Sequence, residues 1–94
     1  MNLREHAKGQ PCFVRLPGIC RGGTETTVLA HVRDGFFGMG IKPPDICGVW
    51  ACFDCHNEMD RRTTHMLTGD VRVATLEALC RQLDHYVRKG IVKW

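Results

Sequence analysis

The stretch Ala51-Cys52-Phe53-Asp54-Cys55-His56-Asn57-Glu58-Met59-Asp60 largely determines how this chain folds. It contains a Cys-x-x-Cys pair, Cys52 and Cys55, followed directly by a histidine. Two cysteines at this spacing can bind one tetrahedral metal ion. If a helix begins at the second cysteine, His56 and Asp60 lie one turn apart on one face of it. The stretch therefore predicts two different sites, one structural and one chemical.

The composition restricts the class of protein. Ninety-four residues predict one domain, 1–94, of a size at which a metal or disulfides often supplement the hydrophobic core. The chain has neither a membrane-spanning apolar run nor the apolar segment of a signal peptide, so we expect a soluble, cytoplasmic protein with no membrane partner. Six cysteines then favour metal ligands or free thiols over disulfides. The net charge of +3 permits a nucleic-acid partner without requiring one.

The residue pattern predicts an α+β fold whose centre is a long β-hairpin. Segment 11–16 alternates like a short strand, and the β-branched segment 24–33 predicts another strand, with His31 near its end. A glycine-rich loop with a Pro-Pro step follows, and segment 46–51 resumes an apolar extended run. These last two runs would pair as the hairpin.

Two helices are expected after the hairpin. The first would run from about Cys55 to about Thr64, with Asp54 as its cap. The second is an amphipathic helix that Arg88-Lys89-Gly90 stops. Its apolar residues recur at spacings of three and four and are expected to face the core. They are Val73, Leu76, Leu79, Cys80, Leu83 and Val87.

Four cysteines from two separated segments have the make-up of a closed structural zinc site. They are Cys12, Cys20, Cys52 and Cys55. Such a site would join the start of the chain to the base of the hairpin, and it contributes on the order of 10 kcal/mol in isolated zinc modules. The alternatives are ordinary buried thiols, or a redox role for the Cys-x-x-Cys pair, which the absence of a βαβ pattern disfavours. Cys47 and Cys80 are expected to be small core residues.

The order of strand histidine, hairpin, Cys-x-x-Cys-His and helix resembles the HNH endonucleases, which have a ββα-metal fold. More closely, nearly the whole chain resembles the small nucleases of lambdoid prophages known as the YbcO family. The resemblance rests on Cys12 to Cys20, Val28-Leu29-Ala30-His31-Val32-Arg33, Lys42-Pro43-Pro44-Asp45, and Ala51-Cys52 through Cys55-His56 to Asp60-Arg61-Arg62-Thr63. It implies a small zinc-stapled ββα-metal (HNH-like) domain with a long β-hairpin, a following helix and a C-terminal amphipathic helix.

The resemblance also implies roles for the catalytic residues. His31 would be the general base that activates water, and His56 would help to hold a divalent ion against the scissile phosphate. Asp60 is placed to be a second ligand of that ion, for which Mg²⁺ or Mn²⁺ is expected, with Zn²⁺ or Ni²⁺ as alternatives. The chain departs from the HNH pattern at Ala30, where many of these enzymes have an Asp or His ligand. The Asn of the family name also has no clear match, and Asp45 is the nearest polar residue.

We therefore expect a metal-dependent endonuclease, a hydrolase that cleaves phosphodiester bonds in DNA during phage or prophage recombination or DNA processing. Besides DNA, a recombination or replication protein would be a partner. Basic residues near the two histidines predict contacts with phosphates, and such contacts imply low sequence specificity. They are Arg33, Lys42, Arg61 and Arg62. The alternative is a non-catalytic zinc-stapled module that binds nucleic acid or protein. The sequence leaves the oligomeric state open.

Overall fold

The computed structural model describes residues 2–32 and 44–92. The hairpin loop lies outside the described residues, and so do two of the predicted phosphate-binding residues, Arg33 and Lys42. None of the helices in the described part has the length and apolarity needed to cross a bilayer. The elements, in chain order, are α1 (Leu3–Ala7), β1 (Val28–His31), a 3₁₀ turn (Asp45–Cys47), β2 (Gly48–Ala51), α2 (Phe53–Met59) and α3 (Thr68–Arg88).

Strands β1 and β2 form a two-stranded antiparallel sheet at the centre of the chain. Val28 lies opposite Ala51, and His31 lies opposite Gly48. Glycine is needed at this last position, because a Cβ there would lie 2.6 Å from Leu29 Cγ. Strand β1 covers Val28–His31, whereas the sequence predicts a strand over 24–33. Residue 33 lies outside the described part of the chain. His31 closes it, as expected, beside the 3₁₀ turn that leads into β2.

The second edge of β2 is completed by a side chain instead of a third strand. Gln82 of α3 is fully buried there, and its Oε1 accepts a hydrogen bond from the Trp50 backbone N–H at 2.7 Å. Its Nε2 donates to the Gly48 carbonyl at 2.6 Å. One amide side chain thus satisfies a donor and an acceptor that would otherwise be buried without partners.

The strand predicted at 11–16 is wrong. Arg15 has a φ of +50°, which takes the chain out of extended conformation. Within residues 2–32 and 44–92, one ladder-like bond forms near it, from the Phe13 N–H to the Trp50 carbonyl at 2.9 Å. The segment cannot extend this pairing, because Gln82 already occupies the neighbouring polar groups of β2.

Helix α3 is formed where the sequence predicts it, and it ends before Gly90, which has a φ of +72°. Leu79 of the predicted apolar face packs against the core, but most of that face is wrong, because Val73 and Leu76 are 57% and 62% exposed, and Cys80 is exposed as well. The helix lies against the edge of β2, where small and hydrogen-bonding side chains fit best. The buried positions are Val71, Thr75, Ala78, Gln82 and Tyr86.

Helix α2 begins and ends earlier than predicted. Cys52 caps it, with its carbonyl accepting the His56 N–H at 2.8 Å, while Asp54 forms an ion pair with Arg21. The helix stops at Met59 because the chain turns sharply through Arg61, whose φ is +59°. The residues as far as Thr64, predicted to be helical, belong to the connection to α3.

In the described part of the chain, two core clusters lie on opposite faces of the sheet. Every residue of β2 is buried, because both of its faces are covered. The first cluster surrounds the cysteines and contains Cys12, Val14, Leu16, Ala30, Val49, Ala51, Cys52, Cys55 and Ala78. The second contains Ala7, Leu29, Trp50 and Tyr86. Helix α3 contributes to both clusters and so fixes the sheet relative to α1 and to the cysteines.

Candidate functional site

The four predicted zinc ligands meet in one place. Cys12 and Cys20 come from the loop between α1 and β1, and Cys52 and Cys55 come from the start of α2. Their sulfur atoms all lie within 4.8 Å of one another. Four thiolates bound to zinc at about 2.3 Å are about 3.8 Å apart, so the cluster needs little rearrangement to accept the ion. These cysteines could therefore hold a metal ion such as zinc.

The electrostatics of the cluster favour a thiolate before any metal is bound. The pKa of Cys12 is lowered to about 4, first because the Cys55 thiol donates a hydrogen bond to its sulfur, and also because the backbone N–H groups of Arg15 and Cys52 do so. The same Cys55–Cys12 bond raises the pKa of Cys55. Burial raises the pKa of Cys20. Metal binding would release the protons that remain on these thiols.

A groove of about 490 Å³ lies on the side of the molecule where β1, the end of α2 and the start of α3 meet. Among the described residues, its polar lining consists of His31, Asp60, Arg61 and Arg72, together with two threonines of α3. Its apolar lining includes Met59 and Val71, among others. Elements distant in sequence thus bring one histidine, one carboxylate and two arginines to the same surface.

His31 is held on the groove wall by Asp45. Its Nε2 lies 2.7 Å from Asp45 Oδ1, and its side chain is only 10% exposed. The hydrogen bond from His31 lowers the pKa of Asp45, as does the charge of Arg4, whose Nε lies 3.4 Å from the same oxygen. The residue nearest to the missing Asn of the HNH pattern therefore contacts the predicted base.

His56 and Asp60 form a pair on one face of α2 and its C-terminal end. The distance from His56 Nε2 to Asp60 Oδ2 is 3.2 Å, and both side chains are half-buried. Nitrogen and oxygen ligands bound to one ion at about 2.1 Å are about 3.0 to 3.4 Å apart, so this spacing fits a shared metal. Asp60 lines the groove, whereas His56 is not among the lining residues.

The predicted basic residues have different surroundings. Arg61 lines the groove, but its guanidinium also donates to the Met66 carbonyl at 3.0 Å, so part of it is engaged within the protein. Arg62 is exposed. Arg72, which sequence reasoning missed, lies in the first turns of α3 on the groove wall. Its position depends on how α3 packs, and no motif in the sequence marks it.

Two histidines outside the groove interact with each other. His6 Nε2 lies 3.2 Å from His85 Nε2, and both rings pack near Trp50. His6 is half-buried, because α1 packs over the sheet. The pKa of His85 is lowered, first by burial.

The fold is that of a small α+β domain with a four-cysteine cluster that could hold a metal ion. Its groove carries a histidine, a carboxylate and arginines. The chain belongs to the YbcO family, since the family model described as "Putative nuclease YbcO" matches residues 1–91.

Individual relatives cover nearly the same length. The "Putative nuclease YbcO" of Escherichia coli (strain K12) is 43% identical over 93 residues, which are 98% of this chain and 97% of that protein. The protein of the same name from Enterobacteria phage 82 has the same identity and coverage. A solved structure, "Structure of a putative bacteriophage protein from Escherichia coli str. K-12 substr. MG1655", has a TM-score of 0.81 and 38% identity, covering 95% of this chain and 100% of that one. The fold is therefore shared along almost the whole chain.

Proposed function

We propose that this chain is a metal-dependent, HNH-type endonuclease that hydrolyses phosphodiester bonds in DNA. The relatives' names include the word nuclease. The observation that carries the proposal is the groove, in which His31, already oriented by Asp45, shares one surface with Asp60 and Arg72. A general base, a carboxylate able to bind a metal ion and a cation are groups that metal-dependent hydrolysis of a phosphodiester uses.

His31 acts as the general base. An ionised Asp45 can only accept a hydrogen bond. Of the two tautomers of the neutral imidazole, it therefore favours the one that carries its proton on Nε2. The lone pair is then on Nδ1, which can take a proton from the attacking water. Asp45 also stabilises the imidazolium that forms when His31 takes the proton. The bond thus sets both the tautomer and the orientation of the ring.

His56 and Asp60 would hold the catalytic divalent ion, with Mg²⁺ or Mn²⁺ preferred and Zn²⁺ or Ni²⁺ as alternatives. That ion supplies neutralisation of the charge that develops on the phosphoryl and leaving oxygens. Their 3.2 Å contact suits a shared ion and would be replaced by bonds to it. The cysteine cluster has a separate, architectural role with structural zinc, since it supports the start of α2.

Arg61, Arg62 and Arg72 would contact the phosphates of the substrate. Such contacts hold a strand in place without reading its bases, so we propose low sequence specificity. A role in recombination or processing of phage DNA agrees with the phage origin of one relative. Arg33 and Lys42 remain part of this proposal from the sequence alone.

Cleavage assays on zinc-loaded protein test the proposal. Single-stranded, duplex and branched DNA would each be incubated with Mg²⁺ or Mn²⁺ and with the wild type, His31→Ala or His56→Ala. His65→Ala is the matched control, because His65 is exposed. We expect cleavage by the wild type and the control, and a loss of about 10²- to 10⁴-fold in His31→Ala. Equal residual cleavage in all four proteins would mean contamination, and the proposal would fail.

A second candidate is a zinc-stapled module that binds DNA or protein and cuts nothing. Two observations favour it: His31 is nearly buried against Asp45, and among the described residues only the cysteines form a cluster of three or more potential metal ligands. This candidate predicts DNA binding that depends on Arg72 and is unchanged by His31→Ala, with no cleavage by any variant.

A further inference from the structure

Glu58 is a completely buried carboxylate near the C-terminal end of α2. Its Oε1 accepts hydrogen bonds from Thr63 Oγ1 at 2.5 Å and from the His65 N–H at 3.2 Å. Its Oε2 accepts one from the Met66 N–H at 2.8 Å, and Arg61 Nη1 lies 3.4 Å away. A buried charge is tolerated only with such partners, and all four belong to one short segment.

That segment is the connection between α2 and α3. It reverses direction through Arg61 in a left-handed conformation, and Arg61 Nη2 also donates to the Met66 carbonyl at 3.0 Å. Glu58 therefore binds both the beginning and the end of the connection. Without the carboxylate, two backbone N–H groups, a hydroxyl and a guanidinium N–H would lose their acceptor.

The same connection joins two walls of the groove. Asp60 and Arg61 lie at its start, on one wall, and Thr68 and Arg72 follow its end, on another. Glu58 itself is not among the lining residues. Its hydrogen bonds fix the path of the backbone between Asp60, the candidate metal ligand, and Arg72 of α3.

We propose that Glu58 is a positioning residue for this site, which acts through Asp60 and Arg61 to hold the metal-binding carboxylate against the wall formed by α3. The inference rests on the proposed function of the groove. A purely structural Glu58 would affect the stability of the protein only. A positioning Glu58 affects metal affinity through Asp60, in a protein that is still folded and zinc-loaded.

The experiment uses zinc-loaded protein and makes two measurements on each variant. Mn²⁺ binding is measured by electron paramagnetic resonance, and DNA cleavage is measured in parallel. Glu58→Gln keeps the size of the side chain but replaces one acceptor oxygen with an NH₂ group that faces other donors. Glu77→Gln is the matched control, because Glu77 is exposed on α3 and pairs only with Arg81 among the described residues. We expect Glu58→Gln to weaken Mn²⁺ binding by about 10- to 100-fold, the usual effect of losing a residue that orients a metal ligand. Glu77→Gln should bind like the wild type.

The Asp60→Asn background separates positioning from stability. If Glu58 acts through Asp60, adding Glu58→Gln to Asp60→Asn should weaken Mn²⁺ binding no further. Wild-type Mn²⁺ affinity in a destabilised Glu58→Gln protein would overturn the inference, and so would effects that multiply in the double variant. If Glu58→Gln does not fold, Thr63→Val serves instead, since it removes a single hydrogen bond to the carboxylate. A loss of about 3- to 10-fold in Mn²⁺ affinity is then expected, which corresponds to one hydrogen bond.

The two proposals fail in different ways. Mn²⁺ binding that depends on Glu58 and Asp60 without any DNA cleavage would refute the nuclease and leave the positioning role intact. DNA cleavage that Glu58→Gln leaves unchanged would support the nuclease and overturn the positioning role. A wild type that binds no Mn²⁺ beyond its zinc would also overturn it.

Discussion

The side chains of His31 and Asp45 meet at the entrance to β2, with His31 Nε2 only 2.7 Å from Asp45 Oδ1. The two residues come from the end of β1 and from the 3₁₀ turn before β2, so the pairing of the strands brings them together. This bond decides which nitrogen of His31 carries a proton and therefore which one can act as a base.

Asp45→Asn should reduce DNA cleavage by about 10²- to 10⁴-fold, approaching the effect of His31→Ala. An amide can donate to Nε2 and so stabilise the wrong tautomer of the imidazole. The measurement is kcat/KM for cleavage, with Asp84→Asn as control, because Asp84 is exposed and pairs with Arg88. The double variant His31→Ala/Asp45→Asn should be no slower than His31→Ala alone. A multiplicative loss would mean that Asp45 acts independently of His31.

The same bond predicts a contribution to acid stability. The pKa of Asp45 is held below its ordinary value of 3.8 in the folded protein, first by the hydrogen bond from His31. Its stabilisation is therefore present above that value and is lost as the pH falls through the lowered pKa. Urea unfolding between pH 6 and pH 2.5 should show a smaller acid-dependent loss of stability in Asp45→Asn than in the wild type. Identical pH profiles would contradict the prediction.

Zinc removal should unfold the region around α2. We expect one tightly bound zinc per chain by native mass spectrometry, and its loss in Cys20→Ser or after prolonged chelation. The cost in free energy of unfolding should be a large share of the total, given about 10 kcal/mol for isolated zinc modules. Cys80→Ser is the control, since Cys80 is exposed on α3. Zinc bound by Cys20→Ser as tightly as by the wild type would show that Cys20 is not a ligand.

Gln82→Ala should lower the free energy of unfolding by about 2 to 5 kcal/mol. The change leaves the Trp50 N–H and the Gly48 carbonyl buried without partners and opens a cavity beside them. Urea denaturation measures the loss, and Glu77→Ala on the exposed side of the same helix should change stability by less than about 0.5 kcal/mol. Similar values for the two variants would rule out Gln82 as the support of that strand edge.

The orientation of α3 can be tested with two substitutions of opposite expectation. Ala78 is fully buried, so Ala78→Leu should overpack the core and cost about 1 to 3 kcal/mol. Val73 is 57% exposed, so Val73→Lys should cost less than about 0.5 kcal/mol. A larger loss of stability in Val73→Lys than in Ala78→Leu would mean that the helix has the orientation that its apolar periodicity predicts.

The sequence predicts best what depends on local spacing and residue type. The cysteine cluster could be found because a Cys-x-x-Cys pair and a second pair of thiols are visible without knowledge of the fold. The extent of α3 could be found from its periodicity and its stop at Gly90, but its buried face could not. That face is set by Gln82 and Ala78, which fit against the edge of β2. No pattern in the sequence indicates that a glutamine is buried in the core.

The groove was less predictable for the same reason. Helical spacing pairs His56 with Asp60, the family resemblance adds His31 and the roles of all three, and His31 and Asp60 line one groove. Arg72 reaches the same groove only through tertiary packing. The buried hydrogen bonds of Glu58 depend on the chain reversal at Arg61, which no pattern in the sequence predicts. The residue pattern predicts a helix that continues past Met59, whereas in the structure the chain turns through Arg61. The buried Glu58 carboxylate then accepts the backbone N–H groups of His65 and Met66.

The cysteine cluster also imposes an order on biosynthesis. Cys12 and Cys20 are translated first, and at about 5–20 residues per second Cys52 and Cys55 follow a few seconds later. During that interval the growing chain has two thiols and no complete set of ligands. A metal ion held by all four cysteines, and the core cluster that surrounds them, would therefore be completed only late in synthesis.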